Sequence, residues 1–352
     1  MTTVAPSPTR TEVPTTMRAA VVTTTGEPLT ISEVPVPTPG PHEALVRVIT
    51  SGVCHTDLHA ARGDWPVAPK DQIIPGHEGY GEVVAIGDRV TTLEVGQKVG
   101  NAWLWSACGV CEYCRTGWET LCPEQQNGGY SVDGSFGEYM LVDERYAARI
   151  PDGADPVEVA PILCAGVTVY KGLKMTGVRP GQWVVVSGIG GLGHMAVQYA
   201  RAMGMRVVAV DVDDSKLALA RTHGAEVTVN AATHEPGEAV QAATGGAHGV
   251  LVTAVHPKAF DQALGVVRRG ATIVFNGLPP GTFDADIFDI VLRAITIRGS
   301  IVGTRQDLAD ALDFYARGEI HPTVHVETLE DVNDVFERME RGKIDGRIVM
   351  QF

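Results

Sequence analysis

The first half of the chain alternates short apolar runs with glycine and proline. Between residues 17 and about 150 these runs read RAAVVTT, EALVRVITSGV, YGEVVAIG and FGEYMLV, and they are rich in β-branched or aromatic residues. Short runs of this composition bounded by turn-forming residues are typical of β-strands. The pattern therefore predicts an irregular, mainly antiparallel β domain in this half.

The pattern changes after about residue 161. The apolar runs WVVVSG, RVVAVDV, GVLVTAV, ATIVFNG and ITIRGS now alternate with amphipathic stretches such as GLGHMAVQYARAMG. Strand and helix in alternation indicate βαβ units around a parallel sheet. The C-terminal end, from LADALDFYARGEI to GRIVMQF, predicts two helices and a closing strand. We therefore expect an α/β fold with a doubly wound parallel sheet in the second half.

A glycine motif with the spacing of a dinucleotide-binding turn follows the first strand of the second half. It lies between that apolar strand and a helix, and it consists of Gly188, Ile189, Gly190, Gly191, Leu192 and Gly193. Glycines in this setting let the main chain approach a pyrophosphate, whose charge is stabilised at the helix N-terminus.

The second strand ends at an acidic residue, Asp211, 18 residues past the last glycine of the motif. Its carboxylate can accept hydrogen bonds from both hydroxyls of an adenosine ribose and would repel a 2′-phosphate, so we expect NAD rather than NADP. Lys216, about one helical turn further on, is a second candidate for a ribose contact, although lysines at such positions are usually solvated.

Charge and composition exclude several classes of partner. The chain has 352 residues, with 42 Asp and Glu against 28 Lys and Arg, and a formal net charge of −14. This charge opposes nucleic acid and anionic membranes as partners, and there is no apolar run of about 18 residues to predict a membrane span. Residues 1–16 are rich in Thr and Pro and lack the apolar core of a secretory signal. We therefore expect a disordered N-terminal tail and a cytoplasmic protein.

Four of the six cysteines fall within one short stretch, CGVCEYCRTGWETLC, as Cys108, Cys111, Cys114 and Cys122. Structural disulfides are rare in the cytoplasm. A bacterial ferredoxin run has three residues, not seven, before its fourth cysteine. Closely spaced thiolates with one returning ligand can instead surround a zinc ion tetrahedrally. The spacing favours zinc, with disulfides and an iron–sulfur cluster as the alternatives.

The two remaining cysteines stand alone along the sequence. Cys54 begins CHTDLH, Cys164 lies in PILCAGVTVYKG, and His77 lies between them in PGHEGYGEVVAIG. Taken separately, each also fits a small buried thiol or a hydrogen-bonded histidine. Together, two thiolates and an imidazole would form a three-ligand zinc site with an open fourth position, which is a catalytic arrangement.

These motifs resemble one known family, the zinc-dependent medium-chain alcohol dehydrogenases, and within it the microbial NAD-dependent branch that favours small primary alcohols. The segment GHEGYGEVVAIGDRV matches the family's zinc signature, and GVCHTDLHAARGDWP, CGVCEYC, CAGVTVYK, GGLGHMAVQYA and GSIVGTRQDL match further segments in order. The resemblance covers residues 17–352. It implies a GroES-like catalytic domain at 17–160 and 300–352 with a zinc lobe at 101–123, and a Rossmann domain that binds NAD at 161–299.

The resemblance also implies two zinc ions per chain and a homotetramer. Cys54, His77 and Cys164 would bind the catalytic zinc, and the four clustered cysteines would bind a structural zinc. Zinc would polarise the hydroxyl of a small primary alcohol, and hydride transfer to nicotinamide C4 would give the aldehyde in a reversible reaction.

The resemblance assigns four residues near the catalytic zinc. Thr56 and His59 correspond to a relay that carries the substrate proton through the ribose of NAD to solvent. Asp57 would orient the zinc-bound imidazole. Glu78 corresponds to a carboxylate that approaches the metal during ligand exchange.

Further residues correspond to cofactor and substrate contacts. His55 and Arg305 would be cationic contacts to the pyrophosphate, and Thr168 would pack against the nicotinamide. Trp65 and Trp103 would narrow the substrate pocket, although each alone also fits a buried core tryptophan. Trp105 is an extra tryptophan relative to the family's pattern and leaves the shape of the pocket open.

Two other functions fit the same sequence. One is an NADP-dependent aldehyde or aromatic-alcohol reductase on the same scaffold, against which Asp211 argues. The other is a zinc-free quinone-reductase-like or binding protein, which would not need both sets of metal ligands.

Overall fold

The computed structural model describes residues 13–352, and its first half consists mainly of short strands. Three helices occur among them, α1 at His55–Arg62, α2 at Glu112–Arg115 and α3 at Pro156–Val159. The strands, β1 to β9, are Thr16–Val21, Thr30–Pro35, Glu43–Val53, Gly79–Ile86, Lys98–Gly100, Leu104–Ser106, Gln126–Asn127, Tyr139–Asp143 and Ala148–Arg149.

The second half alternates strands and helices. Strands β10 to β17 are Trp183–Ser187, Arg206–Asp211, Val227–Asn230, Ala247–Val252, Val267–Phe275, Thr296–Gly299, Val324–Glu327 and Arg347–Gln351. Helices α4 to α11 are Ala165–Thr176, Gly193–Ala202, Asp214–Thr222, Pro236–Thr244, Pro257–Val266, Ile287–Arg293, Arg305–Ala316 and Val332–Glu340.

Six strands of the second half form one parallel sheet, in the order β12-β11-β10-β13-β14-β15. The chain enters at a central strand and then adds strands on one side and afterwards on the other, which is the doubly wound arrangement. Val184, Val185 and Val186 of β10 are fully buried, because helices cover both faces of such a sheet. The predicted α/β fold with a parallel sheet is confirmed.

A second, mainly antiparallel sheet contains most strands of the first half. It runs β16-β17-β3-β4-β5-β9, and β8 also pairs with β3. The last strand, β17, pairs antiparallel with β3, so the end of the chain returns to the first half. Only β16 and β17 pair in parallel within this sheet. The predicted, mainly antiparallel β structure of the first half is therefore also confirmed.

The two halves meet on a buried segment just before and within α4. Ile162, Leu163 and Leu173 are fully buried in a core that also contains Tyr80 of the antiparallel sheet and Val186 of the parallel sheet. Cys164 lies within this segment, at the junction of the two halves.

The predicted disordered tail of residues 1–16 falls mostly outside the described residues, which begin at Val13. Val13 packs against the core of the first half, and the carbonyl of Thr15 accepts a hydrogen bond from Val36 N at 3.0 Å. Thr16 already belongs to β1. The described chain is therefore packed from before Met17, where the sequence analysis placed the boundary.

No single helix within residues 13–352 has both the length and the apolar composition to cross a membrane. The segment 156–163 and helix α4 reach that length and composition only as a pair, and they meet at an angle of 47°. All but two of the twelve residues of α4 are buried within the fold.

The loop between β4 and β5 is braced by one buried carboxylate. Glu144 Oε2 accepts hydrogen bonds from Thr91 N at 2.7 Å and from Thr92 N at 3.0 Å, and Glu144 Oε1 lies 2.8 Å from His42 Nδ1. The hydrogen bond with His42, together with those from the two main-chain groups, lowers the pKa of Glu144 from 4.5 to about 2.

We expect Glu144→Gln to lower the free energy of unfolding by about 2 kcal/mol at pH 7, because hydrogen bonds to a buried charged group are lost. The folded-state pKa lies below the ordinary value, so this stabilisation is complete above pH 4.5 and is lost as the pH falls towards 2. Urea denaturation of wild type and variant at pH 7 and at pH 3.5 measures this stabilisation. Glu94→Gln, in the exposed loop between β4 and β5, is the control. An equal difference between wild type and variant at both pH values would contradict the assignment.

Candidate active site

Two thiols and an imidazole meet at one point inside the protein. Cys54 directly precedes α1, His77 lies in the loop before β4, and Cys164 directly precedes α4. One ligand atom from each of these residues and a carboxylate oxygen of Glu78 all lie within 4.8 Å of one another, and all four residues are buried. His77 Nε2 is 3.2 Å from Cys164 Sγ. Sulfur and imidazole nitrogen at this spacing are the ligand types that zinc prefers.

The chemistry of this donor set fits a metal cation. The interaction between the two neighbouring thiols lowers the pKa of Cys54 well below its ordinary value and raises that of Cys164 well above it. Two adjacent buried sulfurs therefore cannot both be anionic by themselves. A bound Zn²⁺ removes this restriction, because a coordinated thiol is deprotonated.

Asp57 holds two of the three donors in place. Its Oδ2 accepts a hydrogen bond from Cys54 N at 2.8 Å, and its Oδ1 accepts from Gly76 N at 3.1 Å and lies 2.8 Å from His77 Nδ1. Since a carboxylate only accepts, His77 Nδ1 carries a proton, and Nε2 is the ring nitrogen that faces the site and is available to a metal. This is the orienting contact expected for a metal-binding imidazole.

Glu78 and Arg347 form a buried ion pair at the edge of the site. Arg347 Nη2 donates to Glu78 Oε1, and both side chains are almost fully buried. Glu78 Oε2 has no hydrogen-bond partner within the described part of the chain. Burial raises the pKa of Glu78 to about 7, against the opposing effect of Arg347.

The four clustered cysteines form a second donor set away from the first. One sulfur from each of Cys108, Cys111, Cys114 and Cys122 lies within 4.8 Å of the others. All six cysteines of the chain are free thiols, which removes the disulfide alternative for this structure. Main-chain N–H groups of Val110 and Cys111 lower the pKa of Cys108 to about 7. Hydrogen bonding to thiolate sulfur in this way favours a metal-binding lobe.

The glycine motif turns sharply from β10 into α5. Gly188 has a φ of +92°, and a Cβ on Gly193 would lie 1.8 Å from the carbonyl oxygen of Gly188. A side chain at Gly190 would instead meet nothing within 4 Å. The main chain is therefore exposed at the start of α5, where an anionic ligand is favoured. This geometry fits the pyrophosphate of a dinucleotide.

Asp211 lies at the end of β11 beside this turn. Its Oδ2 accepts from Ile189 N at 2.6 Å, and its Oδ1 accepts from Val212 N at 2.7 Å and Asp213 N at 3.0 Å. These bonds orient the carboxylate and leave one of its four acceptor positions for a ligand. Lys216 lies in the first turn of α6 and is partly exposed. Hydrogen bonds from Ser215 lower the pKa of Asp213, and the charge of nearby Lys216 adds to this effect.

A cavity of about 630 Å³ lies between the two halves. Cys54 and His77 line it from the first half, Cys164 lines it from the junction of the two halves, and residues 275–283 line it from the parallel-sheet half. Leu192 of the glycine motif also lines it. The cavity therefore connects the first donor set with the dinucleotide turn.

Most of the predicted contact residues line this cavity. They are His55, Thr56, His59, Trp65, Trp103 and Thr168. The Trp103 ring lies edge-on to the His77 ring at 5.4 Å, and the Trp65 ring lies 6.1 Å from Trp103. Thr168 Oγ1 is buried with no hydrogen-bond partner among residues 13–352, and an unpartnered hydroxyl in a cavity wall fits contact with a polar ligand.

The side chains of the predicted relay, Thr56 and His59, both line the cavity. Thr56 Oγ1 is 3.7 Å from Cys54 Sγ. The His59 ring stacks on Trp65 at 5.1 Å, and its Nδ1 is 2.8 Å from a carboxylate oxygen of Asp64. Desolvation by the surrounding protein lowers the pKa of His55 below its ordinary value, although the residue as a whole is exposed.

The structure does not support Arg305 as a dinucleotide contact. Its guanidinium donates to both carboxylate oxygens of Glu119, at 2.7 to 3.1 Å, and lies 4.3 Å over the ring of Tyr146. This pairing links the four-cysteine lobe to the start of α10. Trp105 also lies off the cavity wall, where its indole N–H donates to the carbonyl of Leu141 at 3.0 Å.

Arg347 is the functional candidate that the sequence analysis missed. A Cβ on Gly191 would lie 3.1 Å from Arg347 Nη1, so this guanidinium lies directly against the glycine motif. Its signal in the sequence is a single charged residue at the start of the closing strand GRIVMQF, in which Arg347, Ile348, Val349 and Met350 are all buried. The loop LPPGTF, residues 278–283, was also missed as part of the cavity wall.

Two family models match the chain. The model described as "Alcohol dehydrogenase GroES-like domain" matches residues 40–152, and the model described as "Zinc-binding dehydrogenase" matches residues 191–317. Together they cover parts of both halves that form the cavity.

Named relatives are similar over nearly the whole chain. An alcohol dehydrogenase of Moraxella sp. (strain TAE123) is 61% identical over 336 residues, covering 96% of this chain and 99% of the relative. An alcohol dehydrogenase of Rhizobium meliloti (strain 1021) is 58% identical, covering 95% of this chain and 98% of the relative. The structure of acetophenone reductase from Geotrichum candidum NBRC 4597 in complex with NAD superimposes with a TM-score of 0.86 at 32% identity, covering 97% of this chain and 99% of that chain.

Proposed function

The chain belongs to the zinc-dependent medium-chain alcohol dehydrogenase family, and on that premise we propose that it uses NAD and two zinc ions to interconvert small primary alcohols and their aldehydes. The observation that carries this proposal is the convergence of Cys54, His77 and Cys164 on the cavity that also reaches the glycine motif. A metal site and a dinucleotide turn on one cavity are what hydride transfer from an alcohol requires.

The donor sets determine where the metals would bind. Zinc held by Cys54, His77 and Cys164 would act as a Lewis acid on the alcohol oxygen, and bound NAD would accept the hydride. The four-cysteine set would hold a structural zinc, because four thiolates leave no position for substrate. Asp57 keeps the His77 imidazole in the tautomer that binds metal through Nε2.

The chain's own residues supply the path for the substrate proton. We assign the Thr56 hydroxyl to accept this proton beside the donor set, and His59 to deliver it to solvent at the rim. Positions 56 and 59 share one face of α1, since residues three apart on a helix are neighbours. Asp64 pairs with His59 Nδ1, which leaves Nε2 to exchange the proton.

Cofactor choice rests on Asp211. A carboxylate beside the glycine motif favours the ribose hydroxyls of NAD and repels the 2′-phosphate of NADP, which argues against the alternative of an NADP-dependent aldehyde reductase. For the pyrophosphate we now assign Arg347 rather than Arg305, with His55 as a second contact. The assignment follows from the position of the Arg347 guanidinium against Gly191.

We expect wild-type protein to oxidise ethanol with NAD⁺ but to show little activity with NADP⁺, and dialysis against a strong chelator to abolish the activity. Cys164→Ala should lower kcat/KM for ethanol by about a thousandfold or more, because the loss of Lewis-acid polarisation costs several kcal/mol in the transition state. The measurements are an alcohol and aldehyde panel with both cofactors and metal analysis of each protein.

A matched control separates the donor role of Cys164 from its packing. Val169→Ala removes buried volume from α4, the helix that Cys164 directly precedes, without touching the cavity wall. This variant should keep both its zinc content and its activity. Normal ethanol oxidation by Cys164→Ala, or fewer than two zinc ions per wild-type chain, would contradict the proposal. Higher turnover with NADPH than with NADH would instead favour the reductase.

Two tryptophans support a preference for small substrates. Trp65 and Trp103 line the cavity next to the donor set, and Tyr130 packs against both rings at 5.5 Å. We infer that the two tryptophans, held in place by Tyr130 behind them, favour a short unbranched alcohol over a branched one.

We expect Trp65→Ala to raise kcat/KM for branched or longer alcohols, relative to ethanol, by about tenfold, because the pocket widens by several methylene volumes. The ratio of kcat/KM for a branched alcohol to that for ethanol is the measurement. Trp105→Ala is the matched control, since its indole lies off the cavity wall, and its ratio should equal that of wild type. An unchanged ratio in Trp65→Ala would remove Trp65 from the substrate pocket.

We also propose a homotetramer. None of the residues of α9 is buried, and Ile287, Phe288, Val291 and Leu292 are between 57% and 79% exposed. Next to this helix, β15 is the edge strand of the parallel sheet. An apolar helix face beside an open sheet edge is typical of an interface with another copy of the chain.

We expect sedimentation equilibrium to give the mass of four chains, and Phe288→Glu combined with Val291→Glu to give smaller species, because two charges would be buried in the contact. Val95→Glu, at an exposed apolar position away from this face, should keep the wild-type mass. A wild-type mass of one or two chains would contradict the proposed homotetramer.

A further inference from the structure

A fully buried histidine lies directly after the glycine motif and takes no part in the cavity. His194 is the second residue of α5, and its ring is bonded to main-chain atoms on two sides. His194 Nδ1 is 3.1 Å from the carbonyl oxygen of Gly190, and His194 Nε2 accepts a hydrogen bond from Thr323 N at 3.3 Å. The ring therefore joins the glycine motif to the segment before β16.

These two contacts determine the charge and the tautomer of His194. A carbonyl oxygen can only accept, so Nδ1 carries the proton, and a main-chain N–H can only donate, so Nε2 carries none. Burial lowers the pKa of His194 to about 3, and the nearby His223 and Arg347 act in the same direction. The imidazole is therefore neutral, with each nitrogen bonded to one main-chain group.

The segment that His194 contacts leads directly to Arg347. The carbonyl of Thr323 accepts a hydrogen bond from Arg347 N at 2.9 Å. The Arg347 guanidinium then lies against Gly191, which is the residue after Gly190. Gly190, His194, Thr323, Arg347 and Gly191 thus form a closed ring of contacts between the glycine motif and the C-terminal strand.

A second side chain on the same face of α5 reinforces this ring of contacts between the glycine motif and the C-terminal strand. Gln198 lies one turn after His194, and its Oε1 accepts a hydrogen bond from His321 N at 2.8 Å. Residues four apart on a helix share a face, so α5 satisfies two main-chain donors of the segment 321–323. The position of this segment, and with it that of Arg347, follows that of α5.

We propose that His194 is a positioning residue for the dinucleotide, which holds the glycine motif and Arg347 at the separation that a pyrophosphate requires. The inference rests on the proposed use of NAD. Without the imidazole, the N–H of Thr323 loses its buried partner, and the carbonyl of Gly190 keeps only the hydrogen bond from His194 N at 3.1 Å. The glycine motif and the segment 321–323 are then no longer joined by this side chain. The loss should act on dinucleotide affinity and leave the chemical step unchanged, since His194 does not line the cavity.

Three variants and two ligands test the proposal. His194→Leu removes both hydrogen bonds at similar volume. His194→Asn places an amide N–H where Nδ1 stands, within reach of the Gly190 carbonyl, but its side chain is too short to reach Thr323 N. His194→Gln places an amide oxygen where Nε2 stands, within reach of Thr323 N, but has no donor at the position of Nδ1. Calorimetry with ADP-ribose, which carries the pyrophosphate, is compared with AMP, which lacks it, and kcat for ethanol is measured at saturating NAD⁺.

We expect His194→Leu to weaken ADP-ribose binding by about tenfold or more, since one buried hydrogen bond is worth about that factor. The Asn and Gln variants should lie between Leu and wild type, AMP affinity should change less than twofold, and kcat should stay within about twofold. Tyr199→Phe is the matched control. Tyr199 lies on α5, as His194 does, and its hydroxyl donates a buried hydrogen bond of 3.0 Å to the carbonyl of Ala311. The loss of this bond should leave ADP-ribose affinity unchanged.

Each outcome decides between the claims. Wild-type affinity for ADP-ribose in His194→Leu, or an equal loss for AMP and ADP-ribose, would overturn the positioning role. If His194→Leu does not fold, unchanged ADP-ribose affinity in both the Asn and Gln variants would overturn it. If wild-type protein itself binds neither ADP-ribose nor NADH, the proposed function fails and not this inference alone.

Discussion

The reactive centre depends on the buried carboxylate of Asp57. It accepts hydrogen bonds from the main chain of Cys54 and Gly76 and from the ring of His77. The first of these bonds also begins helix α1 as part of a capping box. A single side chain therefore starts the helix, fixes the chain before β4 and orients two of the proposed metal ligands. An uncompensated buried carboxylate would cost several kcal/mol, and here three donors stabilise it.

A second buried carboxylate connects the proposed metal ligands with the glycine motif. Glu78 follows His77 in sequence and pairs with Arg347 on the closing strand, and Arg347 lies against Gly191. A buried ion pair adds little to stability compared with well-packed apolar residues. Its value here is positional, because the pair joins two chain segments 269 residues apart. The donor set and the glycine motif on the cavity are therefore both complete only when β17 is paired with β3.

Local patterns in the sequence were enough to predict the fold and most of the residues proposed as metal ligands. Short apolar runs rich in β-branched and aromatic residues predicted the strands, and their alternation with amphipathic helices predicted the doubly wound sheet that the structure confirms. Weak strands without such a run, β2, β12 and β16, were not predicted. The glycine motif and the clustered cysteines were recognised because their chemistry depends on close spacing along the chain, as a tight turn or a tetrahedral metal lobe does.

The sequence by itself determined which residue types could serve the chemistry: two thiols, an imidazole, a glycine turn and an acidic strand end. Only the tertiary structure decided which cation faces the glycine motif. Arg305 and Arg347 are equally basic in the sequence, but Glu119 holds the first on the lobe, whereas strand pairing brings the second to Gly191. The physical reason is that a charge acts through its distance to other groups, and distances between remote segments are set by packing and not by position along the chain.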